Sequence, residues 1–345
     1  MRENTHMEHF EDLLFESWGY ELLEKFKLND VEYTRKWDGA PSIFFGKDEG
    51  GYWIARKGIF NKIPLKYYKR SDFDDDPKFP EELKTAMWNT LVYLQNAYVG
   101  PSNAMVQGDL MFFDNTCGGN IKEFHPNTIR YETSIIPRSA IVGIVWHTAY
   151  HNDKVVYGAK IKEQFKITDE LWMINAHDEV SNPRGIDLPL RIVKSVVGRY
   201  SDLSDDTKAL YKMWRNAQIK GLAEDNITDF MFDRMQKEVA SVLSADKKAE
   251  KIEKYRSITN ELTAVIHRLN NDYELMVDAK EMLLMELNRQ PSSFKTTVIS
   301  VGGVYRSVDH EGYAMYTEGY AAKLVNRQEF SKNNFSPDVV KGWSK

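Results

Sequence analysis

Cysteine is nearly absent: Cys117 stands alone among 345 residues, so no intrachain disulfide can form and nothing points to an oxidising compartment. A lone thiol of this kind reads as a bystander rather than a nucleophile. Long apolar runs are missing too. The longest uncharged stretch, Ser139 to Tyr150, falls short of the ~20 residues that a spanning helix needs. The opening MRENTHMEHFEDLL carries charges where a signal peptide needs an apolar segment, so no targeting segment is expected. There is no excess of positive charge either. With 46 Lys+Arg against 51 Asp+Glu the net charge is −5, which excludes a protein that coats nucleic acid by bulk charge but leaves room for a local basic groove. What is present, 42% hydrophobic residues over a length sufficient for about two domains, predicts a globular protein of the cytoplasm, or of the host cytoplasm for a phage protein.

The chain has two textures. Phe10, Leu13, Leu14, Trp18, Leu22, Leu23 and Phe26 recur at three- and four-residue intervals and predict one amphipathic helix over 7–27, interrupted near Gly19. Alternation of period two follows in Val31 to Lys36, Ile43 to Phe45 and Tyr52 to Ala55, separated by turn residues, and predicts an antiparallel meander. Residues 81–98 read as a helix, Met105 to Phe113 as a strand containing a glycine, and Ala140 to Ile161 as a hairpin. From about 187 to 290 the pattern is helical, with Asn270-Asn271-Asp272 read as the turn of an antiparallel helical pair. Strand-like alternation returns in Thr296 to Tyr305 and Tyr313 to Asn326. The expected organisation is an α+β sheet domain (1–165 and 293–345) interrupted by a mainly helical insertion (166–292).

Chemistry concentrates at Lys36-Trp37-Asp38-Gly39, at the end of a strand. A lysine held there can act as an amine nucleophile once neighbouring cations or a metal lower its pKa. Asp38 could orient that amine or hold a metal, and Gly39 permits close backbone approach. Arg56 and Gly58 follow after the next hairpin turn. Taken alone, Lys-x-Asp-Gly is matched equally well by a solvated turn.

In company with the rest, this segment resembles the covalent nucleotidyltransferase superfamily of ATP-dependent DNA ligases, RNA ligases and mRNA capping enzymes. Lys36 to Gly39 is similar to its first motif, Arg56 and Gly58 to the second, Gln107-Gly108-Asp109-Leu110 to the Gly-Glu strand, and Ile144-Val145-Trp146-His147 to the aromatic-bearing strand. Glu311 to Met315 resembles its Glu-Gly motif and Ala322-Lys323-Leu324 the last. The resemblance covers about 31–160 and 296–330. It implies two packed antiparallel sheets of a nucleotidyltransferase (ATP-grasp-like ligase) domain with the nucleotide between them, and ATP and Mg²⁺ as cofactors. It further implies Lys36 as the nucleophile, Lys323 as a cation on the α-phosphate, and Gly39, Arg56, Gly58, Asp109, Trp146 and Glu311 as nucleotide contacts, with Glu311 and Asp38 at the metal. The implied activity is polynucleotide ligation through a lysyl-adenylate at Lys36, with DNA or RNA as acceptor. The segment His6 to Asp12 and the surroundings of Lys36 also resemble ligase-like phage proteins.

Departures from the family pattern keep other readings open. Asp109 replaces a glutamate, Ala321 stands where a second lysine is usual, and Glu-Gly-Tyr-Ala at 318–321 duplicates 311–314, so that Glu318 competes with Glu311. A non-catalytic nucleotide- or nucleic-acid-binding protein, or adenylate transfer to a protein or small molecule, is the alternative. With 22 residues after Lys323 no C-terminal OB-fold is expected, and the helical insertion would supply substrate contacts.

Other clusters carry less. Lys62, Lys66 and Lys69, interleaved with aromatics, fit either a nucleic-acid groove or a solvated loop. His6, Glu8 and His9 do not share a helix face, which favours a surface or capping role over a metal site. Asp72, Asp74, Asp75 and Asp76 lack the glycine and distal glutamate of a calcium loop. Trp146 and His147 alternate, so only one of them can face a nucleotide.

Overall fold

The computed structural model describes all residues except 1–6, 28–29, 78, 114–116, 119–120, 152–153, 158, 178–179, 182–186, 224–225, 318 and 343–345. The fold is mixed α+β. One sheet has the strand order Glu8–His9, Tyr320–Val325, Gly312–Thr317, Glu32–Lys36. A six-stranded sheet runs Lys154–Tyr157, Val142–His151, Met105–Phe112, Ser42–Asp48, Gly51–Ala55, with Leu171–Asn175 joining beside Val142–His151. A third, not anticipated from the sequence, is built from Tyr305–Ser307, Lys295–Ile299, Arg130–Thr133, Ile121–Phe124 and Cys117–Gly118. Pairing is antiparallel except for Glu8–His9 on Tyr320–Val325 and Leu171–Asn175 on Val142–His151, which are parallel.

The expected meander over 31–55 is only half formed. Ser42–Asp48 and Gly51–Ala55 make a hairpin, but Glu32–Lys36 leaves for the other sheet and pairs with Gly312–Thr317. Local alternation specifies that a segment is a strand; its partner is chosen by tertiary packing.

The single amphipathic helix over 7–27 is replaced by three pieces: the short strand, a 3-10 turn over Phe10–Phe15 and a helix over Gly19–Lys27. The apolar spacing nevertheless identifies the buried side, since Phe10, Leu13, Leu14, Phe15, Leu22, Leu23 and Phe26 are all buried. A Cβ on Gly19 would lie 2.6 Å from Val197 Cγ2, so the break sits where the chain is pressed against a neighbouring segment.

Nor is there a helical hairpin at 270–272. Ala245–Asn288 is one continuous helix. The polar triplet is accommodated without a turn because two of its side chains find partners and Asn271 is exposed: the Tyr211 hydroxyl donates to Asn270 Oδ1 (2.9 Å), and Tyr200 and Arg199 both donate to Asp272 Oδ2 (2.6 Å each). Tyr255, Ile258, Leu262, Leu269, Tyr273, Met276 and Leu283 form its buried stripe. This stripe shares a core with Phe10 and Leu14 and with Tyr313, Met315 and Leu324 of the four-stranded sheet. Within the segment expected to be mainly helical, Leu171–Asn175 is a sheet strand and the described helices begin at Asp187. Helix Glu81–Ala97 covers one face of the six-stranded sheet through Leu83, Met87, Leu91 and Leu94. The opposite face looks toward the four-stranded sheet, across a cavity.

Candidate functional site

That cavity, of ≈ 500 Å³, is lined from one sheet by Thr34, Lys36, Ala314, Tyr316 and Lys323 and from the other by Ser42, Gln107, Asp109, His147, Thr148 and Tyr150. Its size falls within the roughly 300–1,000 Å³ of small-molecule sites. Strand register explains the first wall. Lys36 is paired with Gly312, while Lys323 lies opposite Ala314, which in turn is opposite Thr34, so Thr34, Lys36 and Lys323 share a face. Gly312 has φ +145°, and a Cβ there would approach Leu324 O to 2.2 Å, so only glycine permits the close pairing that sets Glu311 beside Lys36.

A glycine shapes the second wall as well. Gln107 pairs with Thr148 but Gly108 pairs with Trp146, so His147 is the extra residue of a β-bulge. A Cβ on Gly108 would lie 2.5 Å from Val145 O. Bulges re-aim side chains, and here His147 and Thr148 both line the cavity. Gly39 completes the approach between the walls, since its Cβ would meet Asp109 Cβ at 2.5 Å.

The charges in the cavity are coupled. Lys36 Nζ donates to Glu311 Oε1 in a short contact, with Glu311 nearly fully buried. Burial acts to lower the Lys36 pKa, but Glu311, Asp109 and Asp38 outweigh it and hold the ammonium above its ordinary value. Burial lifts Glu311 to about 7, Lys36 opposing and Asp38 and Asp109 adding. Lys323 is lowered, first by burial and then by the Lys36 charge. His147 Nε2 stands 3.8 Å from Asp109 Oδ2.

Asp38 has another task. Its carboxylate accepts from Asn127 Nδ2 (2.7 Å) and from the backbone N–H groups of Thr128 and Ile129 (2.8 Å each), and its own N–H donates to the Tyr131 hydroxyl (2.9 Å). Three donors on one buried carboxylate make it a clamp tying the Lys36 turn to 127–131, a poor use for a metal ligand. Among the described residues no group of three or more His, Cys, Asp or Glu side chains is placed to hold a metal. The carboxylates left for Mg²⁺ are Glu311 and Asp109, and a magnesium site that relies on substrate phosphates and water needs one or two.

Other expected site residues lie elsewhere. Trp146 is fully buried on the helix side of its sheet, stacked on Phe165 (centroids 5.3 Å apart) with Nε1 toward Met173 Sδ (3.2 Å); of the alternating pair, His147 faces the cavity. Arg56 is exposed over the Phe79 ring (5.3 Å to the centroid), and its neighbour Lys57 lines the cavity instead. Gly58 adjoins Leu65, outside the cavity. Lys66 is bound to Asp48 (2.5 Å) and lies over Trp53, while Lys62 and Lys69 are exposed. Asp72 caps the helix Arg70–Asp74 by accepting from the N–H groups of Tyr68 (2.7 Å) and Lys69 (3.1 Å), and Asp76 accepts from Tyr67. Glu8 pairs with Lys212 (2.9 Å). His6 and Glu318 lie outside the described residues. Lys57, Gln107 and His147 carry no assigned role in the sequence reading, although Gln107 and His147 stand inside the quoted segments; the strand glycine Gly108 was the available signal for the bulge.

These features define a mixed α+β protein with a lysine- and carboxylate-lined cavity between two sheets. Residues 4–338 match the model of the family described as "Family of unknown function (DUF6267)", and the chain belongs to that family. No curated protein and no solved structure matches it. Among the described residues no helix is long and apolar enough to cross a membrane.

Proposed function

We propose that the chain is an ATP-dependent nucleotidyltransferase of the polynucleotide-ligase type, its two cavity-lining sheets being the nucleotidyltransferase (ATP-grasp-like ligase) fold of that superfamily. The observation that carries this reading is the convergence of Lys36, Asp109, Glu311 and Lys323, far apart in sequence, on one cavity between two sheets. The Lys36 ammonium, which Glu311, Asp109 and Asp38 hold above its ordinary value, first gives a proton to Glu311, its hydrogen-bond acceptor held near 7, and the neutral amine then attacks the α-phosphorus of ATP. A P–N bond forms, the bond to the bridging oxygen of the β-phosphate breaks, and pyrophosphate leaves. The second proton, left on the attacking nitrogen as the P–N bond forms, is carried off by the departing pyrophosphate. Lys323 and Lys57 supply positive charge for the phosphates. Bound Mg²⁺ would neutralise phosphate charge. The adenylate then passes to a terminal 5′-phosphate oxygen of a nucleic acid with cleavage of the P–N bond, and a 3′-hydroxyl displaces AMP. Lys62 and Lys69 are exposed cations for that acceptor.

The test is the intact mass of the protein after incubation with ATP and Mg²⁺, for wild type and Lys36→Ala. A second reading, nucleotide binding without transfer, is favoured by the position of Arg56 outside the cavity. It predicts ATP binding with no change in mass.

A further inference from the structure

The cavity is graded. Around Lys36, Lys323 and Glu311 it is ionic; next come Asp109, with Ser42 opposite it, and His147; beyond them, one pleat repeat along the strand from Asp109, the wall is uncharged and made of Gln107, Thr148 and Tyr150, with Val155 nearby. This order matches the phosphate, ribose and base of a nucleotide whose α-phosphate lies at Lys36. Three carboxamides are among the described lining residues, Gln107, Asn127 and Asn334; Asn127 donates to Asp38 (2.7 Å), and of the three Gln107 is the one on the six-stranded sheet. Its orientation is held from both sides. Tyr150 donates its hydroxyl to Gln107 Oε1 (2.6 Å), and Gln107 Nε2 donates to Ser42 Oγ (3.1 Å), whose own hydrogen points to Gly108 O (3.5 Å).

We propose that Gln107 reads the purine edge at the base end of this cavity, and that Tyr150 and Ser42 are positioning residues that make it discriminate adenine from guanine. The inference rests on the nucleotide-binding reading above. After those two contacts the amide retains one N–H and one oxygen lone pair. Adenine presents a donor at N6 beside an acceptor at N1, whereas guanine presents an acceptor at O6 beside a donor at N1, the same pair in reversed order. A free amide matches either base by turning over, which exchanges its oxygen and nitrogen. Because Ser42 commits its hydrogen to the Gly108 carbonyl, its oxygen can only accept from Gln107, so turning the amide over would set oxygen against oxygen; the amide therefore offers a single order and leaves the wrong purine with donor facing donor and acceptor facing acceptor. A well-placed bidentate amide–base contact corresponds to roughly 5- to 150-fold discrimination.

The experiment is mass-resolved labelling of the protein by ATP and by GTP, each with Mg²⁺, in wild type, Gln107→Leu, Tyr150→Phe and Ser42→Ala. Wild type should favour ATP by a factor in that range. Gln107→Leu should bring the two purines to within about threefold, and Tyr150→Phe and Ser42→Ala should lower the ratio while GTP labelling rises in absolute rate, an outcome that simple loss of stability does not produce. An unchanged ATP:GTP ratio in the variants, or equal labelling of wild type by both, overturns the role of Gln107 and leaves nucleotidyl transfer standing. If no nucleotide labels wild type, transfer is overturned, and the same variants are titrated calorimetrically with ATP and GTP: a ratio of dissociation constants that collapses in Gln107→Leu upholds the inference, and equal or absent binding in wild type ends it.

Discussion

At the residue scale the proposed chemistry turns on the Lys36–Glu311 pair. A carboxylate takes a proton only when ionised, so with Glu311 held at about 7, self-adenylation should fall about tenfold per pH unit below that value and level off above it. Glu311→Gln should slow the reaction by roughly a hundredfold at neutral pH and leave a rate that keeps climbing with pH, because only the intrinsic lysine pKa then limits it. A Gln variant whose profile runs parallel to wild type would show that Glu311 acts on the nucleotide or metal and not on the lysine proton. Gly312 is the second decisive residue. With φ +145° and a carbonyl oxygen 2.2 Å from any added Cβ, Gly312→Ala should cost more than ~2 kcal/mol in urea denaturation. A small loss would mean that the strand shifts easily and that Glu311 is not held in place by it.

At the element scale the long helix offers the sharpest test. In a continuous helix Asn271→Pro removes a backbone hydrogen bond and clashes with the preceding turn, a penalty of ~3 kcal/mol or more, whereas a chain reversal at 270–272 would accept proline easily. Much of what the sequence analysis expected at this scale holds: the strands at 32–36, 42–48, 105–112, 312–317 and 320–325 and the helix at 81–97 stand close to where alternation and spacing put them. Partners were harder to read. Glu32–Lys36 alternates as any strand does, and nothing local says that it pairs with residues 280 positions away instead of with the next hairpin. Asn270-Asn271-Asp272 has turn composition, yet its acceptors are satisfied by Tyr211, Tyr200 and Arg199, which lie far off in sequence. The site divides in the same way. Lys36, Asp109, Glu311 and Lys323, grouped in the sequence by their order along the chain, line one cavity, while His147 was not preferred over Trp146 because a bulge changes which side chain faces inward without changing the alternation.

At the scale of the whole molecule, buried ionisable groups shape the response to acid. Burial lowers His9 and His310 to about 3, with Arg327 and Arg35 respectively adding to the effect, so these imidazoles contribute stability that is lost as pH falls toward 3. Burial raises Asp12 and Glu311 to about 7; their contribution has the opposite sign, present at low pH and lost as pH rises through 7. His125 is lowered by burial as well, so between the ordinary imidazole value of 6.5 and the ordinary aspartate value of 3.8 the two raised carboxyls offset part of the loss, and below that window only the loss remains. Melting temperature followed by circular dichroism should therefore fall gently from pH 6.5 to 3.8 and steeply below; a decline already steep from 6.5 would mean that Asp12 and Glu311 are ionised in the folded protein. The central claim is more directly exposed by one mass spectrum. After incubation with ATP and Mg²⁺ the intact protein should gain the mass of a single adenylate, carried by the peptide containing Lys36 and absent from Lys36→Ala, whereas an unmodified wild type, or a Lys36→Ala protein labelled equally well, would contradict it.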